Sequence, residues 1–130
     1  MLLEIDFSGE TPIYLQIRNQ VVMGIADGRL SPGEKLPTIR ELANEAGINM
    51  MTANKAYALL KQEGRIIADR RSGAIVCAGN AGAADGAANG VISGKVRSGL
   101  KLLVAEAKLD GVPESELLEL CTELYNEGSI

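Results

Sequence analysis

Seven basic side chains, Lys35, Arg40, Lys55, Lys61, Arg65, Arg70 and Arg71, fall in one stretch that carries only four acids. That is a local balance of +3 in a 130-residue chain whose net charge is −4. Guanidinium and ammonium groups gathered in this way suit the phosphates and base edges of double-stranded DNA, and the local patch, not the chain total, governs phosphate contact. The planar fork of Arg40 fits a guanine edge or a phosphate; its plainer role is as a solvated partner of a nearby carboxylate. Thr52 can hold a phosphate with its hydroxyl and the backbone N–H groups of a helix start, or it can satisfy its own backbone only. Asn54 and Lys55 lie on the outward side of the same segment, with Lys61 a turn and a half further on as solvated surface. Arg70 and Arg71, with Ser72 and Gly73, make a basic hairpin tip that can reach a minor groove or its phosphates; such charges also serve solubility alone. Met50 and Met51 can touch a thymine methyl or can pack under an N-terminal arm, and the sequence leaves both open.

These groups need a scaffold, and the segment Leu36 to Val76 supplies one. Thr38 with Glu41 three residues later makes a reciprocal capping box, and Pro37 favours an extended approach to it. Ile39, Leu42, Ala43 and Ala46 share one helical side. Gly47 is the left-handed stop, and Asn49 caps a second helix with Ala53, Ala56, Tyr57 and Leu60 inward and Gly64 at its end. Two helices joined by so short a turn form a helix-turn-helix. Two short strands, 66–69 and 74–77, follow as a wing, and Lys35 and Leu36 form a third strand that pairs with it. Upstream, a first helix runs from Pro12, placed at the first helical position behind a Thr11 cap, to Asp27, with Ile13, Ile17, Val21 and Ile25 as its stripe. Residues 1–10 form an extended arm.

Beyond the wing, residues 78–90 are Gly/Ala-rich and read as a flexible linker or a poor helix start. Helical spacing then returns in Ile92, Val96, Leu100, Leu103 and Ala107, ending at Asp110 and Gly111. A last helix has Pro113 at its first position, acids in its first turn, and Leu117, Cys121 and Leu124 on one side. From Cys77 onward eight acids face four bases, so the acidity sits away from the basic patch. Two amphipathic helices cannot bury their apolar sides alone. A second copy of the chain related by twofold symmetry is the simplest cover; folding back on the winged helix is the other. The expected organisation is a winged helix-turn-helix over 1–77 and a helical dimerisation hairpin over 78–130, mostly α with a small β wing.

Other classes fit poorly. Histidine is absent, and Cys77 and Cys121 lack metal spacing, so no metal and no cofactor are expected. There is no nucleophile–base pair, and the GxG-like spacings in 79–90 have neither a strand before them nor a GK after them. No apolar run approaches the ~18 residues a membrane span requires, and the acidic start MLLEIDFSGE is not a signal peptide. A cytoplasmic, non-enzymatic protein is expected.

The segments PIYLQI (12–17), LSPGEKLPTIRELA (30–43), TANKAYALL (52–60), EG (63–64) and SGAIV (72–76), in this order, resemble the GntR family of bacterial regulators, and within it the small YtrA-like branch. The resemblance is close over 12–76 and looser over the tail. It implies that Arg40 contacts DNA, that Thr52 is the recognition-helix threonine, and that the C-terminal helical pair is the dimerisation module. It further implies a transcriptional regulator acting as a homodimer on an inverted-repeat operator, most simply a repressor. Two departures limit the transfer of operator sequence. Met50 and Met51 stand where the branch has Pro-Asn, and the wing reads Arg71-Ser72-Gly73-Ala74-Ile75 in place of Gly-x-Gly-Thr-Phe. The tail alone is too small for a roomy effector pocket, so a small-molecule effector would sit between subunits. A winged-helix protein-interaction module without DNA binding is the alternative.

Overall fold

A computed structural model describes residues 3–69, 73–77 and 90–127. The chain divides into two compact units, Met1–Gly86 and Ala87–Ile130. The stretch 78–89, expected as linker, lies outside the described residues, as do Arg70, Arg71 and Ser72 of the wing tip.

The first unit runs α1 (Ile13–Ala26), β1 (Lys35–Leu36), α2 (Ile39–Ala46), α3 (Met50–Gln62), β2 (Ile66–Asp69) and β3 (Gly73–Val76). The strands form an antiparallel sheet in the order β1-β3-β2, with Leu36 opposite Ala74 and Ile66 opposite Val76. Ile17 and Val21 of α1, Leu42 of α2, Ala53, Ala56, Tyr57 and Leu60 of α3, and Ile66, Ala74 and Val76 of the sheet are buried together. The helical spacings read from the sequence therefore mark the core sides of three helices that share one apolar centre. This is a winged helix-turn-helix.

The caps explain where the helices begin and end. Thr38 accepts from the Glu41 N–H while the Glu41 carboxylate accepts from the Thr38 N–H, closing the capping box. Those two bonds, the backbone one first, hold the Glu41 carboxyl below its ordinary value. Gly47 ends α2 at φ +69, a left-handed conformation that glycine adopts without steric cost. Asn49 Oδ1 accepts from the Thr52 N–H at 2.8 Å and starts α3.

Several boundaries differ from the sequence reading. Pro12 is itself the cap of α1, at ψ 144, and Thr11 does not cap it; the proline ring presets φ, and the Pro12 carbonyl already takes the N–H groups of Leu15 and Gln16. Asp27 falls just past that helix as its C-terminal cap. Pro113 caps its helix in the same extended conformation, one position ahead of the expected place. The second wing strand, central in the sheet, starts at Gly73, which pairs with Asp69, one residue earlier than Ala74.

The extended arm is bound to α1 by two glutamines. Gln20 Oε1 accepts from the Glu4 N–H at 2.9 Å and its Nε2 donates to the Glu4 carbonyl at 2.6 Å. Gln16 does the same to Asp6, at 2.8 and 2.9 Å. Residues four apart on a helix rise about 6 Å, close to the advance of two residues along a strand, so the helix presents the arm with an edge of matching pitch. Leu3 and Ile5 are thereby turned onto the core.

The second unit holds α4 (Gly94–Leu109) and α5 (Glu114–Asn126). Ser93 Oγ accepts from the Val96 N–H at 3.2 Å and begins α4, which leaves Ile92 outside the helix that its spacing suggested. Neither helix has a buried residue, and only Val104, Ala107, Leu117 and Cys121 are partly covered. No helix of the described residues is long and apolar enough to cross a membrane.

Candidate nucleic-acid interface

One joint organises the first unit. The buried Tyr57 hydroxyl, from the middle of α3, donates to the Pro37 carbonyl at 2.7 Å. Pro37 directly precedes the Thr38 cap of α2. Gly73, at the start of β3, lies against the same point, since a Cβ placed on it would stand 3.4 Å from Thr38 Cγ2 and 3.6 Å from Thr38 Cα. Its φ of +83 also favours glycine. The first turn of α2, the body of α3 and the base of the wing are thus set against one another at Pro37–Thr38. Burial pushes the Tyr57 phenol up, with the Glu45 and Glu41 carboxylates adding to the effect, so it stays a neutral donor.

A second tie fixes α3 to α1. Arg18 grips Glu63 with a two-pronged ion pair, Nε to Oε1 and Nη2 to Oε2, each 2.8 Å. A planar bidentate pair of this kind is geometrically specific. Neither this ion pair nor the Tyr57 hydrogen bond is foreseen from the sequence; 45 and 20 residues separate the partners, and no local spacing signals such pairings.

The expected contact residues take these positions. Arg40 is the second residue of α2 and is exposed; it forms no ion pair among the described residues, so the carboxylate partner considered for it is absent there. Met50 and Met51 open α3, exposed by 49% and 82%, which excludes packing of Met51 under the arm. Thr52 is half-buried, with its N–H bonded to Asn49. Asn54 is exposed. Lys55 is exposed too, but its Nζ lies 4.2 Å from the centre of the Tyr14 ring on α1, a cation–π contact that steers the ammonium toward that helix. Gly73 sits at the joint, while Arg70, Arg71 and Ser72 lie outside the described residues. In the second unit Ile92, Val96, Leu100, Leu103 and Leu124 are exposed and Leu117 is partly covered. Among the described residues there is no group of His, Cys, Asp and Glu able to hold a metal, and both cysteines are free thiols.

Comparison with known proteins agrees with this geometry. The family of bacterial regulatory proteins, gntR family, matches residues 13–76. The HTH-type transcriptional repressor YtrA of Bacillus subtilis is 33% identical over 126 residues, which cover 95% of this chain and 92% of that protein. Among solved structures, a transcriptional antiterminator from Listeria monocytogenes superposes with a TM-score of 0.78 at 28% identity, over 95% of this chain and 89% of its own. The DNA-binding domain of AraR bound to operator ORX1 superposes with a TM-score of 0.53 at 28% identity, over 59% of this chain and 99% of that one.

Proposed function

Because the chain belongs to the GntR family of bacterial regulatory proteins, and is thus a helix-turn-helix transcriptional regulator, we propose that it acts as a cytoplasmic repressor, binding an inverted-repeat operator as a homodimer. The observation that carries this reading is the joint at Pro37–Thr38. It fixes α2, α3 and the wing strand relative to one another, while Arg40, Met50, Met51, Asn54 and Lys55 keep exposed side chains. The N-terminal turns of α3 enter the major groove, as recognition helices of this motif do. Arg40 reads a base edge or holds a phosphate, and Thr52, Asn54 and Lys55 fix the register. Gly73 sets the base of a wing whose Arg70, Arg71 and Ser72 meet the backbone.

Residues 90–127 supply the twofold contact. Two helices with no buried residue gain too little from apolar burial to stand alone, and a second copy covers Ile92, Val96, Leu100, Leu103, Leu117 and Leu124. An effector, if the protein has one, binds between subunits. The test is an electrophoretic shift of the full chain on the promoter DNA of its own gene at two salt concentrations. A discrete complex that survives competitor DNA and weakens as salt rises supports the reading. No sequence-specific shift at either salt refutes it and favours the protein-interaction module.

A further inference from the structure

We infer that Met51 is a specificity-determining residue that recognises a thymine methyl group in the major groove. This rests on the DNA-binding reading above and deepens it by naming what the first turn of α3 can read. That turn offers little polar chemistry. Met50 and Met51 carry no donor for a purine edge. The N–H of Thr52 is taken by Asn49, and Thr52 itself is half-buried. Ala53 is fully buried, the exposed amide of Asn54, just past that turn, is left to read a purine edge, and the ammonium of Lys55 is drawn toward Tyr14.

Against that background the two methionines stand out by exposure. Every other large apolar side chain of α3 is buried or partly covered, whereas Met51 is 82% exposed at the end of the helix that leads into the groove. The one apolar feature a base pair presents in the major groove is the C5 methyl of thymine. A thioether is unbranched and adaptable, so it can follow that methyl without a demand for fixed geometry. The selectivity that results is for the methyl itself, and it should vanish when thymine is replaced by uracil, which keeps every hydrogen-bonding group.

The experiment begins with duplexes selected from a random-sequence pool by the full-length chain. The tightest duplex is then synthesised with each thymine replaced singly by deoxyuridine, and dissociation constants are measured by fluorescence anisotropy. Wild-type protein should lose about fourfold in affinity at one or two positions, as expected for one methyl-sized group removed from an apolar contact. Met51→Ala should bind thymine and uracil duplexes equally at those positions, and Met51→Leu, still apolar, should keep the discrimination. Both variants retain a helix-favouring residue at an exposed site, so the fold is not at stake. Wild-type indifference to every methyl overturns the inference while leaving the DNA-binding reading in place. The same holds if Met51→Ala keeps the full uracil penalty. Failure of the pool to yield any enriched duplex overturns both.

Discussion

Tyr57→Phe removes one oxygen from the joint that holds the helix-turn-helix together. The ring remains, so no cavity opens, and the change isolates the hydrogen bond to the Pro37 carbonyl. The hydroxyl belongs to a residue only 2% exposed, so water does not replace the lost donor. Pro37 is half-buried, so its orphaned carbonyl regains part of its hydration. A lost hydrogen bond of this sort costs between the ordinary net value and the full penalty of a buried unsatisfied group, about 1–2 kcal/mol. For a domain of this size that lowers Tm by about 5–10 °C.

A pH signature accompanies it. The folded phenol is held above its ordinary value of 10.0, chiefly by burial. The unfolded chain therefore releases this proton first. The contribution is complete below about pH 10 and is lost as pH climbs above it. Urea melts followed by circular dichroism between pH 7 and 11 should show wild-type stability falling at the alkaline end, with one proton's slope fewer in Tyr57→Phe. A variant as stable as wild type at pH 7, or one with an unchanged alkaline slope, refutes the argument that this hydroxyl locks the joint.

Three further outcomes are expected. Arg40→Ala should weaken operator binding by about 1–3 kcal/mol and relax discrimination at one base position; anisotropy against single-base operator variants measures it, and uniformly weaker binding assigns Arg40 to a phosphate. The double change Arg70→Ala, Arg71→Ala should weaken specific and nonspecific binding alike and flatten the plot of log affinity against log salt by about one unit for each phosphate no longer neutralised. Slopes parallel to wild type would remove the wing tip from the interface. A chain ending at Gly79 should sediment as a monomer, and a dimer of undiminished affinity would place the subunit contact elsewhere.

What the sequence reveals and what it conceals divide by range. Thr38 with Glu41, Gly47 and Asn49 act within one turn, so their residue types and spacing suffice to locate α2 and α3. The inward sides of α1 and α3 follow equally well, because Ile17, Val21, Ala53, Tyr57 and Leu60 keep helical period. The ties that orient these helices are not local. Arg18 finds Glu63, Tyr57 finds Pro37 and Lys55 finds Tyr14 only once the chain has folded, and each of those residues taken alone is an ordinary charge, aromatic or proline. The caps of α1 and α5 fall one residue from their expected places because proline suits both the cap and the position after it. Dihedral angles distinguish the two, and composition does not.

The glutamine pair on α1 makes the N-terminal arm depend on distance more than on identity. Gln16 and Gln20 hold Asp6 and Glu4 by their backbone groups, and Gln16 also donates to the Thr11 carbonyl at 2.8 Å. Every residue but proline carries such groups, so these bonds make no demand on the side chain of Glu4, while the Asp6 carboxylate has a separate task in accepting from Ser8. The arm's length is not free. Inserting or deleting one residue between Phe7 and Thr11 would bring the neighbouring amide groups into register and reverse the alternation of sides, carrying Leu3 and Ile5 out toward solvent and Glu4 and Asp6 in toward the core. The arm therefore behaves as a measured strap, one whose fastening to the helix tolerates a change of side chain at Glu4 but not the gain or loss of a single link.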